Sequence, residues 1–360
     1  MGKVECTDVI EHLFDADRIV ASFSSMRRLF PASDVPRGTG GVSPLATGAA
    51  LSLDASAQNW ITQQAVTSFL VLKSGQIVQE GYYLGTGPED LRMSWSVAKS
   101  VLATLFGILF EDGAFDSLDD PAVRYAPALK GSAYDGVTLQ HLLNMASGVV
   151  FNEEYLDPGS DIRRMGRFLG QGGAMDRYAQ ERMDRHAAPG ASFVYNSVDT
   201  HVLGMVIRGA TGCNITGLLS ERLIQPLGLE AAPHYVTDAH GTAIVLGGLN
   251  LRSRDYARFG QMIAQGGAWQ GQQIVPIDWI ECLNTPAQIS PDDGLGYGDQ
   301  WWMAADPRPG EFMACGIYGQ YIYINRPART VCVATSANRR FSEDGVFDQA
   351  VATFRRMADA

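Results

Sequence analysis

Lysine is scarce in this chain: of its 28 basic residues only Lys3, Lys73, Lys99 and Lys130 are lysines. There is no run of basic residues, and the formal charge is −11 over 360 residues. That balance argues against nucleic acid or an anionic membrane surface as a partner and mildly favours neutral or cationic substrates. The five cysteines (Cys6, Cys213, Cys282, Cys315, Cys332) are scattered with no C-x-x-C pair, so neither a disulfide framework nor a zinc site is expected. The six histidines (His12, His141, His186, His201, His234, His240) lack H-E-x-x-H or comparable spacing, and no metal is expected. Gly247-Gly248 and the glycines between Gly294 and Gly298 form neither G-x-G-x-x-G nor a phosphate loop, so no nucleotide or other cofactor is expected. The longest apolar segment is too short to span a bilayer. Glu5, Asp8, Glu11, Asp15 and Asp17 precede any sustained apolar run, which argues against a secretory signal and for the cytoplasm.

What is present is enough for a substantial core, with 46% hydrophobic and 19% charged residues. Residues 1–50 end in a Gly/Pro/Ser-rich stretch and read as an irregular N-terminal extension that wraps the body and carries no function. Thr67 to Leu72 and Gln76 to Tyr83, around Lys73-Ser74-Gly75, predict a hairpin. Leu139 to Met145, Val198 to Gly209, Ile215 to Leu223 and Arg254 to Ala264 predict helices. Strand character returns at Gln320 to Asn325 and Thr330 to Ala337, and Asp344 to Met357 patterns as a helix with Val346, Phe347, Val351 and Phe354 inward. The expected organisation is an α/β sheet domain from 51–95 and 268–360, with a mainly helical domain over 96–267 and a cleft between them. Early and late strands would share one sheet.

One of the four lysines stands out. In Ser96-Val97-Ala98-Lys99, the apolar run from Val101 to Phe110 keeps helical spacing, so Ser96 opens a buried helix and Lys99 lies beside it one turn on. A guanidinium keeps its proton, whereas a desolvated lysine loses it far below its ordinary value of about 10.4. Lys99 is therefore the residue type that can deprotonate a neighbouring hydroxyl, and the helix N-terminus suits the developing alkoxide. Two further blocks could complete the chemistry. Pro189 to Ser197 is a turn leading into a helix that projects Tyr195 from a loop, where a phenolate held between cations would be a base and the phenol an acid; packing is its other reading. Ala314 to Gln320 introduces a strand through Gly316 and Gly319, and the Ile317 amide could pair with that of Ser96 as an oxyanion hole; the other reading is a plain turn. Glu153-Glu154 lies in a loop and reads as solvated rather than as an acid/base pair.

Taken in this order, the three blocks resemble the class C β-lactamase and penicillin-binding family of serine hydrolases, which includes esterases. Val137-Thr138-Leu139-Gln140-His141-Leu142-Leu143-Asn144-Met145-Ala146-Ser147-Gly148, and Gly247-Gly248-Leu249 followed by Arg254-Asp255-Tyr256-Ala257-Arg258, are phrases similar to that family's. The resemblance spans about residues 65–358 and is strongest to its nylon-oligomer-hydrolysing branch. It implies a β-lactamase/transpeptidase-like α/β (α+β) fold: an antiparallel sheet flanked by helices, with an inserted helical domain. It implies Ser96 as the acylated nucleophile, Lys99 as its base partner, Tyr195 in the tyrosine position of the family's Y-x-N or Y-x-S motif and Ser197 in its third place, with Gly316 and Tyr318 lining the substrate site. Phe151 to Pro158 matches a loop of the nylon-oligomer branch whose tyrosine, at Tyr155 here, bonds the scissile amide nitrogen. Trp301 and Trp302 would wall an apolar acyl pocket, with core packing as the other reading. Where β-lactamases carry K-T-G or H-T-G this chain has Ala314-Cys315-Gly316, so the cation that would hold a β-lactam carboxylate is missing. The expected activity is acyl-enzyme hydrolysis of a small linear amide resembling an aminohexanoate dimer; carboxylic ester hydrolysis or a catalytically silent ligand-binding relative are the alternatives, and a homodimer is compatible.

Overall fold

The computed structural model describes residues 12–360; Lys3, Glu5, Cys6, Asp8 and Glu11 lie outside the described residues. Its centre is a nine-stranded sheet. In spatial order the strands are Gln288–Ile289, Gly296–Gly298, Trp301–Met303, Glu311–Gly316, Gln320–Asn325, Thr330–Ser336, Val66–Lys73, Gln76–Tyr82 and Ala46–Thr47. Pairing is antiparallel except at the last edge, where Ala46–Thr47 runs parallel to Gln76–Ile77. The early hairpin joins the late strands directly, with Phe69 opposite Ala334 and Leu72 opposite Val331. The hairpin turns on Ser74 and Gly75, both at positive φ (50° and 81°), the conformation whose twist matches that of the flanking strands.

Each face of the sheet is covered by helices whose apolar stripes meet the alternating strand residues. On one face Ala55–Gln63 and the C-terminal helix Val346–Asp359 bring Trp60 and Phe354 against Phe69, with ring centroids 5.6 Å (Trp60–Phe69) and 5.5 Å (Trp60–Phe354) apart. Ser253–Ala264 lies against the sheet, and Gly260 makes that approach possible. A Cβ there would stand 2.7 Å from Ile322 and 2.8 Å from Val331. Val97–Glu111 is buried from Val97 to Leu109 and packs against Glu311–Gly316, Gln320–Asn325 and the helix Ser197–Thr211.

A second, four-stranded sheet, in the order Ala32–Asp34, His234–Val236, Leu249–Leu251, Arg92–Met93, has no counterpart in the sequence reading. These strands are two or three residues long, too short to show a period of two. This sheet corrects the picture of residues 1–50 as an irregular wrapping: Ala32–Asp34 and Ala46–Thr47 are strands, and Ile19–Phe23 is a helix. The segment is also pinned from beneath, because the buried Arg92 guanidinium donates to the Val20 carbonyl (2.7 Å) and the Ser24 hydroxyl (2.6 Å). Among the described residues, no single helix is long and apolar enough to cross a membrane.

Candidate active site

Ser96 is the N-cap of Val97–Glu111 and follows Trp95, which sits at φ 45°. A bulky side chain at positive φ is strained and persists only where its surroundings over-determine it. Here the Trp95 ring is held by Phe23 (5.3 Å), Phe14 (5.8 Å) and Tyr318 (5.8 Å). The amides of Val97, Ala98 and Lys99 donate to the carbonyls of Ser94, Trp95 and Ser96. The amide left beside the hydroxyl is therefore Ser96's own.

Lys99 lies one turn on and is 1% exposed. Its Nζ donates to Ser96 Oγ at 2.8 Å and to the Leu246 carbonyl at 2.9 Å. Burial pulls its pKa down to about 8, and the negative charge of Glu153 opposes that shift without cancelling it. The Tyr195 ring faces the ammonium, 5.1 Å from its centroid, and the Ser96 side chain is the neighbour that favours ionisation of the Tyr195 phenol. Burial first, then the charge of Glu153, pushes the Tyr195 phenol well above its ordinary value. That overturns the idea of a resting phenolate: near neutral pH, Tyr195 is a phenol.

The loop Phe151 to Pro158 supplies a group that sequence reasoning missed. Glu153 is not a solvated loop carboxylate. It accepts from the Ser197 amide at 2.7 Å, from the Ser197 hydroxyl and from the Tyr155 hydroxyl at 2.5 Å. A carboxylate at the first amide of Ser197–Thr211 is where a helix N-terminus favours negative charge. The missed signal was spacing: Glu153 and Tyr155 alternate on one side of the loop, which a reading of adjacent acidic residues overlooks. Asn196, given little weight from sequence, caps the same helix by accepting from the Val198 amide at 2.9 Å. Its Nδ2 donates to the buried Asp199 carboxylate, also bonded by Ser147 and Tyr134 (2.8 and 2.9 Å). Burial raises Asp199 to about 7.

The far wall of the cleft comes from the sheet. Gly316 lies against the nucleophile's backbone, since a Cβ there would stand 2.7 Å from the Ser94 carbonyl and 3.0 Å from the Ser96 amide. Ile317 follows in the turn Ile317-Tyr318-Gly319, beside Trp95. The adjacent tryptophans separate, because successive strand residues point to opposite faces. Trp302 packs against Tyr195 (5.4 Å) and Tyr297 (4.7 Å). Trp301 is 0% exposed and lies among Phe259 and Phe312; it belongs to the core and not to the pocket. Tyr297, 5.9 Å from Tyr195, was not foreseen because its three-residue strand shows no pattern. Tyr318 packs between Phe14 (5.1 Å) and Phe341 (4.6 Å), with Phe341 reaching Tyr155 (5.8 Å). The residues gathered around Ser96 thus come from distant stretches of the chain.

Among the described residues no group of three His, Cys, Asp or Glu side chains could hold a metal ion, and Cys213, Cys282, Cys315 and Cys332 are free thiols. The arrangement is a desolvated amine on a serine hydroxyl with a phenol beside that amine, which is the apparatus of acyl transfer.

Comparison with known proteins agrees. The chain is 29% identical to the 6-aminohexanoate-dimer hydrolase of Paenarthrobacter ureafaciens, with 77% of this chain and 74% of that protein covered. A solved Bacillus anthracis structure named as a candidate 6-aminohexanoate-dimer hydrolase superposes with a TM-score of 0.87 at 26% identity, covering 96% of this chain and 95% of that one. A family VIII carboxylesterase shares the fold, with a TM-score of 0.66 at 17% identity over 86% of this chain and 99% of the other. The model of the family described as Beta-lactamase matches residues 57–354, and with that extent of match this chain belongs to the beta-lactamase family of serine hydrolases.

Proposed function

We propose that the protein hydrolyses a small linear amide of the 6-aminohexanoate-dimer type through an acyl-enzyme on Ser96. The observation that carries this reading is the 2.8 Å contact between Lys99 Nζ and Ser96 Oγ, with burial holding the amine near pKa 8. At that value about a tenth of the lysines are neutral at pH 7 and half at pH 8, so the base form is accessible. Neutral Lys99 takes the Ser96 proton as Oγ bonds to the amide carbon. The resulting oxyanion lies within reach of the Ser96 and Ile317 amides. Tyr195, kept as a phenol, donates its proton to the leaving nitrogen and is reprotonated from Lys99. Loss of the amine leaves the ester on Ser96, and water, deprotonated by the same pair, returns the free serine and the acid.

The preference for amides over esters rests on Tyr155. Its hydroxyl proton is committed to Glu153 at 2.5 Å, which leaves its oxygen as an acceptor. An acceptor at that point holds the N–H of an amide and orients the nitrogen lone pair toward the Tyr195 donor. An ester has no such N–H. The relative from Paenarthrobacter ureafaciens bears a name that matches this substrate class. The test is hydrolysis of 6-aminohexanoate dimer, p-nitrophenyl butyrate and a chromogenic cephalosporin by the wild type and by Ser96→Ala. Amide turnover lost in the variant supports the proposal; Ser96-dependent turnover of the ester alone would make the protein an esterase and Tyr155 a packing residue.

A further inference from the structure

The helix Ser197–Thr211 carries, in its first turn, a buried acid that the mechanism above does not use. One oxygen of Asp199, Oδ1, accepts from the Ser147 hydroxyl (2.8 Å), the Tyr134 hydroxyl (2.9 Å) and Asn196 Nδ2 (2.9 Å). All four residues are at most 2% exposed. A carboxyl group in the interior is costly unless bonded, and apolar side chains in the same space would carry no such cost. What a bonded polar cluster adds is one fixed arrangement of the segments it joins.

The segments joined here are those around Tyr195. The loop before it is laid on the turn Met145 to Gly148 by main-chain bonds, from Gly190 to the Ala146 carbonyl (2.7 Å) and from Val194 to that of Met145 (2.9 Å). That turn is itself unusual, with Met145 at φ 51° and Gly148 at φ 73°, so its shape depends on its surroundings. Ser147, in its middle, gives its hydroxyl proton to Asp199 and accepts from the Val149 amide at 3.2 Å. On the other side of Tyr195, Asn196 gives its amide group to the same oxygen. Tyr195 makes no main-chain hydrogen bond among the described residues. Its ring is packed by Trp302 and Tyr297, but its backbone is held through its neighbours, and Asp199 is where the two ties meet.

We propose that Asp199 is a positioning residue for proton donation: by drawing Asn196 and Ser147 onto one oxygen it fixes the backbone around Tyr195, and with it the point at which the phenol meets the leaving group. The proposal rests on Tyr195 as the proton donor and not on the choice between amide and ester. Among the described residues Asp199 has no bond to Ser96, Lys99 or Tyr195, so it acts through Asn196 and the Met145 to Gly148 turn.

The test is kcat/KM, which reports acylation, for p-nitrophenyl butyrate and ethyl butyrate. The nitrophenolate leaves without a proton, whereas ethoxide must be protonated as it leaves, so only the ethyl ester needs the phenol. Tyr195→Phe should lose about a hundred-fold or more on the ethyl ester and little on the other. Since a misplacement of about 1 Å costs about a hundred-fold, Asp199→Ala should lower the ethyl ester by about that factor and the nitrophenyl ester by less than about three-fold. Asp199→Asn keeps an accepting oxygen for the same three donors and should hold both esters within about three-fold of the wild type. In a Tyr195→Phe background, Asp199→Ala should add less than about three-fold, because the two act through one group.

Equal losses on the two esters in Asp199→Ala, no loss on the ethyl ester, losses that multiply in the double variant, or an asparagine as harmful as alanine would each overturn the proposal. Asp199→Ala deprives three buried donors of their acceptor, so circular dichroism checks its fold and Ser147→Ala serves as the milder variant. There the ratio of ethyl to nitrophenyl turnover should fall by about three- to ten-fold; an unchanged ratio overturns the proposal as well. If Tyr195→Phe itself loses both esters alike, the donor reading fails and the proposal with it. A selective Tyr195→Phe beside an unselective Asp199→Ala overturns the positioning alone.

Discussion

Replacing Lys99 by methionine tests the electrostatic basis of the site without measuring catalysis. Burial lowers the folded-state pKa of Lys99 from 10.5 to about 8, a shift of between two and three units. At 1.36 kcal/mol per unit, folding the protonated lysine costs about 3 kcal/mol at any pH below 8. As pH rises from 8 toward 10.5 the folded protein has released this proton while the unfolded chain still holds it. The unfolded state then binds more protons, so stability climbs with pH through this window. Methionine has a similar length and does not titrate. Its variant gives up the bonds to Ser96 Oγ and the Leu246 carbonyl at every pH, and this contribution cancels in the pH dependence. Urea unfolding of both proteins at half-unit steps from pH 7 to 10.5 should therefore show the wild type gaining about 3 kcal/mol on Lys99→Met, with most of the gain between pH 8 and 10. A difference that stays flat across that range would refute the reasoning, because it would mean that the lysine is not desolvated in the folded state. Wild-type kcat/KM should rise with pH along the same ionisation, pass its half-maximum near pH 8 and level off above about 9.

Three further outcomes are expected. Glu153→Gln removes the charge that holds Lys99 and Tyr195 upward, so the rising limb of the pH–rate profile should move to lower pH while kcat falls as Ser197 and Tyr155 lose their anchor; an unmoved limb would show that Glu153 does not act on Lys99. Gly316→Ala places a methyl 2.7 Å from the Ser94 carbonyl, and the displaced oxyanion turn should lower kcat by about 10² to 10³ with little change in KM, as read from steady-state kinetics on a p-nitrophenyl ester. Trp301→Ala should cost about 3–5 kcal/mol in urea unfolding as a core truncation, whereas Trp302→Ala, beside Tyr195, should mainly raise KM; the reverse pattern would put the wrong tryptophan in the pocket.

Sequence alone determined those features whose physical basis is local. The Ser96–Lys99 contact follows from the 3.6-residue period of one apolar helix, and the strands Val66–Lys73, Gln76–Tyr82, Gln320–Asn325 and Thr330–Ser336 follow from apolar alternation bounded by turn residues. Only the tertiary structure decided what depends on distant segments. Glu153 becomes a half-buried anchor because the start of Ser197–Thr211 is folded against its loop. Tyr195 stays a phenol because distant segments bury it, with that same carboxylate adding to the effect. Trp301 and Trp302 part because their strand has a core face and a cleft face, and Phe14 reaches Tyr318 across some three hundred residues of chain. Periodicity can say which side of a helix or strand is apolar; it cannot say which charge another segment will bring against it, and burial by that segment is what sets the acidity of Lys99, Tyr195 and Asp199.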